Sequence, residues 1–445
     1  MFSALLDRLP KTATAPFCPA EVRGSVPVPS GLPAWKRMLR TAGPGLLVSV
    51  GYMDPGNWAT DIEAGSRYGT SLLFVVVLSS LAAILLQILS MRLGLVTGKD
   101  LARMSRERFG PWTVKVQWVL AELAIIACDI AEVLGGALAF KLLLGVPLWA
   151  GVLLTGLDTI IVLSLKGNGF RQLEAIILGL ISTIGICFLV QLIIVPPDAG
   201  AVARGLVPSL AALQQGDALY LAIGILGATI MPHNLYLHSS IVQTRQAPED
   251  EPGKRAAIRL ASIDTVVALG LALFVNAAIL VLAASAFHGN GLREVAGIEE
   301  AHELLAPVTG AAVAGILFGI ALFASGQSAT FTGTIAGQVI LEGFLNLKIP
   351  CWQRRLITRG LAIIPAMAGV LTLGDHAVGR LLVLTQVVLS AQLPFAIWPL
   401  LRFTDDKTLM GPFANGRLVR IVAWGLFLVI SAANVWLVVS TFRQP

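Results

Sequence analysis

Two short stretches combine residues that bind cations with residues that interrupt helices. The first reads Met53-Asp54-Pro55-Gly56-Asn57 and the second Met231-Pro232-His233-Asn234. Each lies in an apolar run. Pro removes a backbone N–H and Gly permits unusual turns, so a helix through either run is expected to stop and restart. A broken helix leaves carbonyls and N–H groups unpaired, which hydrocarbon does not tolerate but a bound ion or a wet cavity does. The side chains narrow the choice of ion. Asp54 offers a hard anionic oxygen, Asn57 an amide oxygen and Met231 a polarisable thioether. Mg²⁺ and Ca²⁺ favour oxygen shells, whereas softer first-row ions accept sulfur, so the trio points to a divalent transition metal. A Pro kink and a packing Met would account for either stretch alone. They account poorly for the pair, because a carboxylate at membrane depth costs about 2.5–3.5 kcal/mol on insertion scales and a kink does not need one.

The elements that hold these residues read as membrane helices. The 445 residues are 56% hydrophobic and 13% charged, against about 25% charge in soluble domains, and the mean hydropathy is +0.80. Apolar blocks fall near 44–66, 70–95, 115–143, 147–165, 173–196, 218–242, 258–287, 309–340, 356–374, 379–401 and 418–441, an expectation of eleven spans. Lys and Arg alternate accordingly. One set of loops holds Lys36, Arg37 and Arg40, then Lys99 to Arg108, Lys166 and Arg171, Arg245 to Arg259, Lys348 to Arg355, and Arg402 to Arg420; the other offers Arg67, Arg204, Arg293 and Arg380. By the positive-inside rule the N-terminus is expected in the cytoplasm and the C-terminus outside. The net charge of +6 therefore reads as topology and not as a nucleic-acid surface. Residues 1–43 lack an apolar signal core and read as a cytoplasmic tail. Cys18, Cys128, Cys187 and Cys351 are too scattered for a disulfide framework or a CxxC site.

Asp54 falls in the first span and Met231 in the sixth, each opening a group of five. This divides the chain into repeats over 44–196 and 218–402 with an eleventh helix over 418–441. Groups with an odd number of spans insert upside down relative to each other, and matching interrupted helices mark a substrate site at the repeat interface.

The third span adds Glu122, Asp129 and Glu132, the last two on nearly one helical face. Carboxylates at this depth are expected to face the bundle or a wet cavity, paired or protonated part of the time. Arg359 in the ninth span is the obvious partner, with Arg355 one turn earlier as a second choice. The cluster reads either as a static brace or as a proton relay from Asp54 through Asp129 and Glu132. His233 and His238 either titrate near neutral pH or bridge helices as hydrogen-bonding groups. Asn276 reads equally as an interhelical hydrogen bond.

These motifs closely resemble the Nramp (natural resistance-associated macrophage protein) family, which includes bacterial proton-coupled manganese transporters. Asp54-Pro55-Gly56-Asn57 matches its first-helix motif, Met231 to Ser239 its sixth-helix motif, and Gly326 to Gln338 its transport signature, with departures at Ala329, Phe331 and Ile335. The resemblance implies an all-α polytopic fold with 11 transmembrane helices and a LeuT-like inverted repeat, importing Mn²⁺, Fe²⁺ and related ions with protons across the bacterial plasma (inner) membrane. Carried over by position, Asp54, Asn57 and Met231 are metal ligands, Gly51 and Ala228 supply backbone carbonyls, and Gln386 joins the closed site. Glu122, Asp129, Glu132, Arg359, His233 and His238 fall on the implied proton pathway, and Thr229, Asn234 and Asn276 on implied gates. No resident cofactor and no obligate protein partner are expected, only metal ions, protons and the lipid bilayer.

Two other classes remain in view: a Na⁺-coupled or amino-acid carrier on the same plan, and a metal-sensing membrane receptor that does not transport. An enzyme is not expected, since HExxH, GxSxG and Gly-rich phosphate loops are absent from the sequence.

Overall fold

The computed structural model describes residues 23–28, 33–164, 170–246, 250–295, 297–347, 351–374 and 378–443. These residues are almost wholly helical. In chain order the longer helices are α1 (Ala34–Thr41), α2 (Pro44–Gly51), α3 (Pro55–Tyr68), α4 (Leu73–Thr97), α5 (Leu101–Arg108), α6 (Pro111–Leu144), α7 (Leu148–Ser164) and α8 (Phe170–Ile194). There follow α9 (Ala218–Ile230), α10 (Pro232–Ile241), α11 (Glu251–Ala286), α12 (Ile298–Thr309), α13 (Ala312–Leu345), α14 (Cys351–Leu373), α15 (Val378–Asp405) and α16 (Arg417–Arg443). A two-residue strand β1 (Val26–Pro27) runs parallel to β2 (Arg245–Gln246).

Local sequence explains where helices begin and end. Asp100 and Asp250 cap α5 and α11, accepting from the N–H of Arg103 at 2.8 Å and of Gly253 at 3.2 Å. Gly98 and Gly145 close α4 and α6 in the left-handed region, where a side chain would be strained. The two Pro-containing stretches each end one helix and start another: α2 stops at Gly51 and α3 starts at Pro55, and α9 gives way to α10 across Met231.

Eight helices among the described residues are long and apolar enough to cross a membrane. The sequence expectation of eleven exceeds this for physical reasons. The first apolar block is divided between α2 and α3, of 8 and 14 residues; α7 has 17 residues; and in α14 the apolar portion is Arg359–Thr372. Large side chains such as Leu78, Ile186, Ile193, Leu428 and Val429 are exposed, as suits helices solvated by lipid.

The interior is built by α6 against α13 and α15, and by α11 against α2, α3 and α4. Close approach depends on small residues. A Cβ on Gly135 of α6 would lie 2.1 Å from the Pro55 ring, and one on Gly227 of α9 would lie 2.5 Å from Ser390 of α15. Trp58, edge-on to Phe188 and Phe318 at 4.9 and 5.3 Å between ring centroids, anchors α3 to α8 and α13.

Candidate metal centre

Asp54 is the N-cap of α3. Its Oδ1 accepts from the Asn57 backbone N–H at 2.9 Å and from Asn57 Nδ2 at 2.6 Å, so one turn of helix locks carboxylate and amide together. Side chains from elsewhere claim carbonyls freed by the interruption. Asn276 Nδ2 donates to Tyr52 O at 2.8 Å, and Trp58 Nε1 and Ser325 Oγ donate to Met53 O at 3.1 and 2.6 Å. Gly51 O faces Asn57 Nδ2 at 3.4 Å. The expectation of free carbonyls is therefore narrowed: those of Tyr52 and Met53 are spent on bracing α11, α13 and α3.

At the second interruption Met231 adopts φ +33° and ψ 98°, a conformation rare for a long side chain. Such strain costs on the order of 1–3 kcal/mol and persists where the surroundings demand it. The two interruptions meet here. A Cβ on Gly51 would lie 3.3 Å from Met231 Sδ and 2.3 Å from Asn234 Nδ2, and one on Gly56 would lie 1.7 Å from Gln386 Nε2. Glycine at both positions is what lets Met231, Asn234 and Gln386 approach the Asp54 turn. All of these side chains, with Asp54 and Asn57, are buried.

Asp54 Oδ2, Asn234 Oδ1 and Gln386 Oε1 have no hydrogen-bond partner among the described residues. Each buried oxygen left so costs about 1–3 kcal/mol. A cation between them would satisfy several at once. Among the described residues no group of three His, Cys, Asp or Glu side chains is placed to hold a metal. The donor set is one carboxylate with amides and a thioether, which favours a borderline-soft divalent ion over Ca²⁺ or Mg²⁺. Ala228 is buried in the last turn of α9, where carbonyls lack intrahelical partners. Thr229 Oγ1 donates to Ile225 O at 2.7 Å, within its own helix.

A charged chain leads away from this centre. His233 Nε2 lies 3.7 Å from Cys128 Sγ, and Cys128 donates to Glu132 Oε1 at 3.5 Å. Glu132 Oε2 is 3.8 Å from Arg359 NH1, while Arg359 NH2 donates to Thr330 Oγ1 at 3.0 Å and to Thr155 O at 3.4 Å. A Cβ on Gly333 would lie 2.7 Å from Glu132 Oε1 and 3.1 Å from Asp129 Oδ1, so both carboxyls press on the α13 backbone. Cys128 escaped the sequence reading because a lone thiol in an apolar run carries no pattern. Gly333 escaped it because a missing side chain shows its purpose only beside its neighbours. Glu122 is half-buried and accepts from Trp118 Nε1 at 3.2 Å. The Arg355 side chain lies outside the described residues. His238 belongs to a different group: its Nδ1 meets Gln87 Oε1 at 2.9 Å, and Gln87 Nε2 donates to the Tyr52 hydroxyl at 2.7 Å, tying α10, α4 and the first interruption together.

At the Lys/Arg-rich end of the bundle a second network holds the start of α2. Asp264 accepts from Gly43 N at 3.2 Å and Gly45 N at 2.7 Å, satisfying N–H groups that a helix start leaves open. Arg245 donates from Nε to Thr41 O at 3.0 Å and from NH2 to Ala42 O at 2.5 Å, and pairs with Glu174 at 2.6 Å. Gly43, at φ +137°, is required because a Cβ there would lie 2.3 Å from the Glu174 carboxyl.

The family model described as natural resistance-associated macrophage protein-like (Nramp) matches residues 45–440. The divalent metal cation transporter MntH of Ralstonia nicotianae is 69% identical over 433 residues, covering 97% of this chain and 98% of that one. MntH 1 of Pseudomonas aeruginosa is 62% identical over 434 residues, covering 98% and 99%. A crystal structure of a mutant manganese transporter from Eremococcus coleocola is 38% identical with a TM-score of 0.89, covering 96% of this chain and 92% of that one. The closed form of Mhp1, a nucleobase-cation-symport-1 family transporter, is 14% identical with a TM-score of 0.60 over 89% and 81% of the chains, a likeness of fold alone.

Proposed function

Because this integral membrane protein belongs to the Nramp family, we propose that it imports divalent transition-metal ions, Mn²⁺ foremost and Fe²⁺ with it, together with protons, by alternating access. The observation that carries the reading is the meeting of the two helix interruptions, with Asp54, Asn57 and Met231 around buried oxygens that lack hydrogen-bond partners among the described residues. The relatives named as divalent metal cation transporters and the manganese-transporter structure support the same substrate class.

The proposed arrangement has eleven spans in two inverted five-helix repeats, with the Arg245 end in the cytoplasm, the C-terminus outside and the plasma membrane of a bacterium as the site. Two breaks at corresponding places support the repeat, and the alternation of basic loops supports the orientation. In this reading Asp54, Asn57 and Met231 hold the ion, with Gly51 O, Ala228 O and Gln386 entering as α2, α9 and α15 shift. Asn234 and Asn276, which tie the breaks to α2 and α11, release as gates, and Thr229 follows α9.

The negative interior of a cell favours inward movement of a divalent ion by about 4.6 kcal/mol per 100 mV. Metal influx then needs little further drive. We assign protons the task of neutralising and resetting Asp54, leaving by way of His233, Cys128, Glu132 and Asp129, with the fixed charge of the Arg359 guanidinium beside Glu132 setting how readily that carboxyl holds the proton. A Na⁺-coupled carrier of an amino acid is disfavoured, because a fixed carboxylate beside a thioether repels a substrate carboxylate.

The test is Mn²⁺ uptake into proteoliposomes with a pH dye inside. Asp54→Ala is expected to abolish uptake while the protein still purifies as a folded species; uptake at the wild-type rate would refute the ligand assignment.

A further inference from the structure

The proposed function leaves one buried carboxylate on α3 without a task. Asp61 follows Asp54 by seven residues and Asn57 by four. At 3.6 residues per turn these offsets return Asp61 to the helix face that carries both proposed ligands, about 10 Å farther along the axis. Asp61 is 2% exposed. Its Oδ2 has no hydrogen-bond partner among the described residues. An ionisable side chain at membrane depth that has no ion-pair partner is either kept protonated or serves a substrate or ion path.

The wall opposite is α11. One turn beyond Asp61, Gly65 packs so closely on α11 that a Cβ would lie 2.4 Å from Leu280 O. One turn before Leu280 stands Asn276, whose Nδ2 is spent on Tyr52 O and whose Oδ1 lacks a partner among the described residues. The α3–α11 seam thus carries a carboxylate oxygen and an amide oxygen, both buried and both without a hydrogen-bond partner among the described residues. At the outer end of α3, Arg67 bridges Glu63 at 3.2 Å and Asp217, just before α9, at 3.8 Å. Glu63 and Arg67 are partly exposed and Asp217 is exposed, so this closure is weak and separable.

We infer that Asp61, with the Asn276 amide oxygen across the seam, forms an outer holding station for the divalent cation on its way to Asp54. The inference rests on the proposed function. Unlike the inner centre, this station offers oxygen alone, so it accepts Ca²⁺ as readily as Mn²⁺ and does not discriminate between them. External Ca²⁺ therefore slows Mn²⁺ uptake by occupying the station, without being carried.

The experiment compares Asp61→Asn and Asp61→Glu in the full-length chain. Mn²⁺ uptake is measured in proteoliposomes, and equilibrium Mn²⁺ binding by calorimetry on purified protein. Asp61→Asn is expected to raise the KM for Mn²⁺ about tenfold, to leave the Kd of the inner centre within twofold, and to weaken inhibition by external Ca²⁺; Asp61→Glu restores most of the loss. An unchanged KM, a KM and Kd that rise together, or a Glu variant no better than Asn overturns the station. If Asp61→Asn does not assemble, the Asp54→Ala chain serves instead. There weak Mn²⁺ binding, read by electron paramagnetic resonance, is expected to persist and to vanish with Asn276→Leu, and its absence in Asp54→Ala also overturns the proposal. Uptake that survives Asp54→Ala sinks the inner centre instead, so the two failures are distinguishable.

Discussion

Arg245→Ala is the sharpest test of how the bundle closes at its Lys/Arg-rich end. Arg245 and Glu174 are 2.6 Å apart, with side chains 4% and 5% exposed. Removing one member of such a pair costs about 3–5 kcal/mol, because the other charge is stranded. Here the stranding is partial. Arg171, 41% exposed, stays 3.0 Å from the second Glu174 oxygen and keeps its own bond to Ala42 O at 2.7 Å. Roughly 2 kcal/mol is then lost, about half the usual figure. The loss falls only on the state in which Thr41 and Ala42 are clasped, so the ratio of released to clasped α2 should rise about 30-fold. Hydrogen exchange by mass spectrometry in lipid nanodiscs reads this directly, as faster exchange of the 46–51 amides by a similar factor. Arg171→Ala, removing an exposed partner, should change exchange less than about threefold. Unaltered exchange at 46–51 in a folded Arg245→Ala protein would refute the clasp.

The other predictions concern the centre and the charged chain. Met231→Ala should let Ca²⁺ compete with Mn²⁺ at least about tenfold better while the KM for Mn²⁺ moves less than about threefold, since sulfur filters ions more than it binds them; unchanged Ca²⁺ competition removes sulfur from the argument. Gly333→Ala places a methyl where Glu132 and Asp129 now sit, so proton influx should fall with Mn²⁺ binding intact, as a pH dye and calorimetry would show. Arg359→Met strands Glu132 and should flatten the pH dependence of uptake without changing Mn²⁺ affinity. A full pH dependence in that variant would reduce Arg359 to a brace between α14 and α6.

Much of the architecture was legible because bilayer chemistry writes itself locally. Each span must satisfy its own backbone, so apolar runs, Pro breaks and basic flanks appear as contiguous text. The interruptions at Asp54-Pro55 and Met231-Pro232 were visible for the same reason, and the motif residues lie there in the structure. The span count was less secure, since α2 and α3 are each too short to cross alone. Of the three acids of the third span, Asp129 and Glu132, which share a helical face, are buried together against Gly333, while Glu122 turns to Trp118. His238, grouped with His233 by proximity in sequence, faces Gln87 on another helix.

By itself the sequence determined a helical membrane protein and two Pro-containing interruptions, each of which depends on residues within a few positions of one another; the donor set suited to a transition metal is a proposal built on those residues. Which carbonyls remain available, which glycines are obligatory, how Cys128 links His233 to Glu132, and that Asp61 Oδ2 has no partner among the described residues were decided only in three dimensions. Those facts depend on contacts between residues one to three hundred positions apart, such as Asn276 on Tyr52 and Ser325 on Met53. No local pattern encodes them, because helix packing chooses its neighbours by shape across the whole bundle.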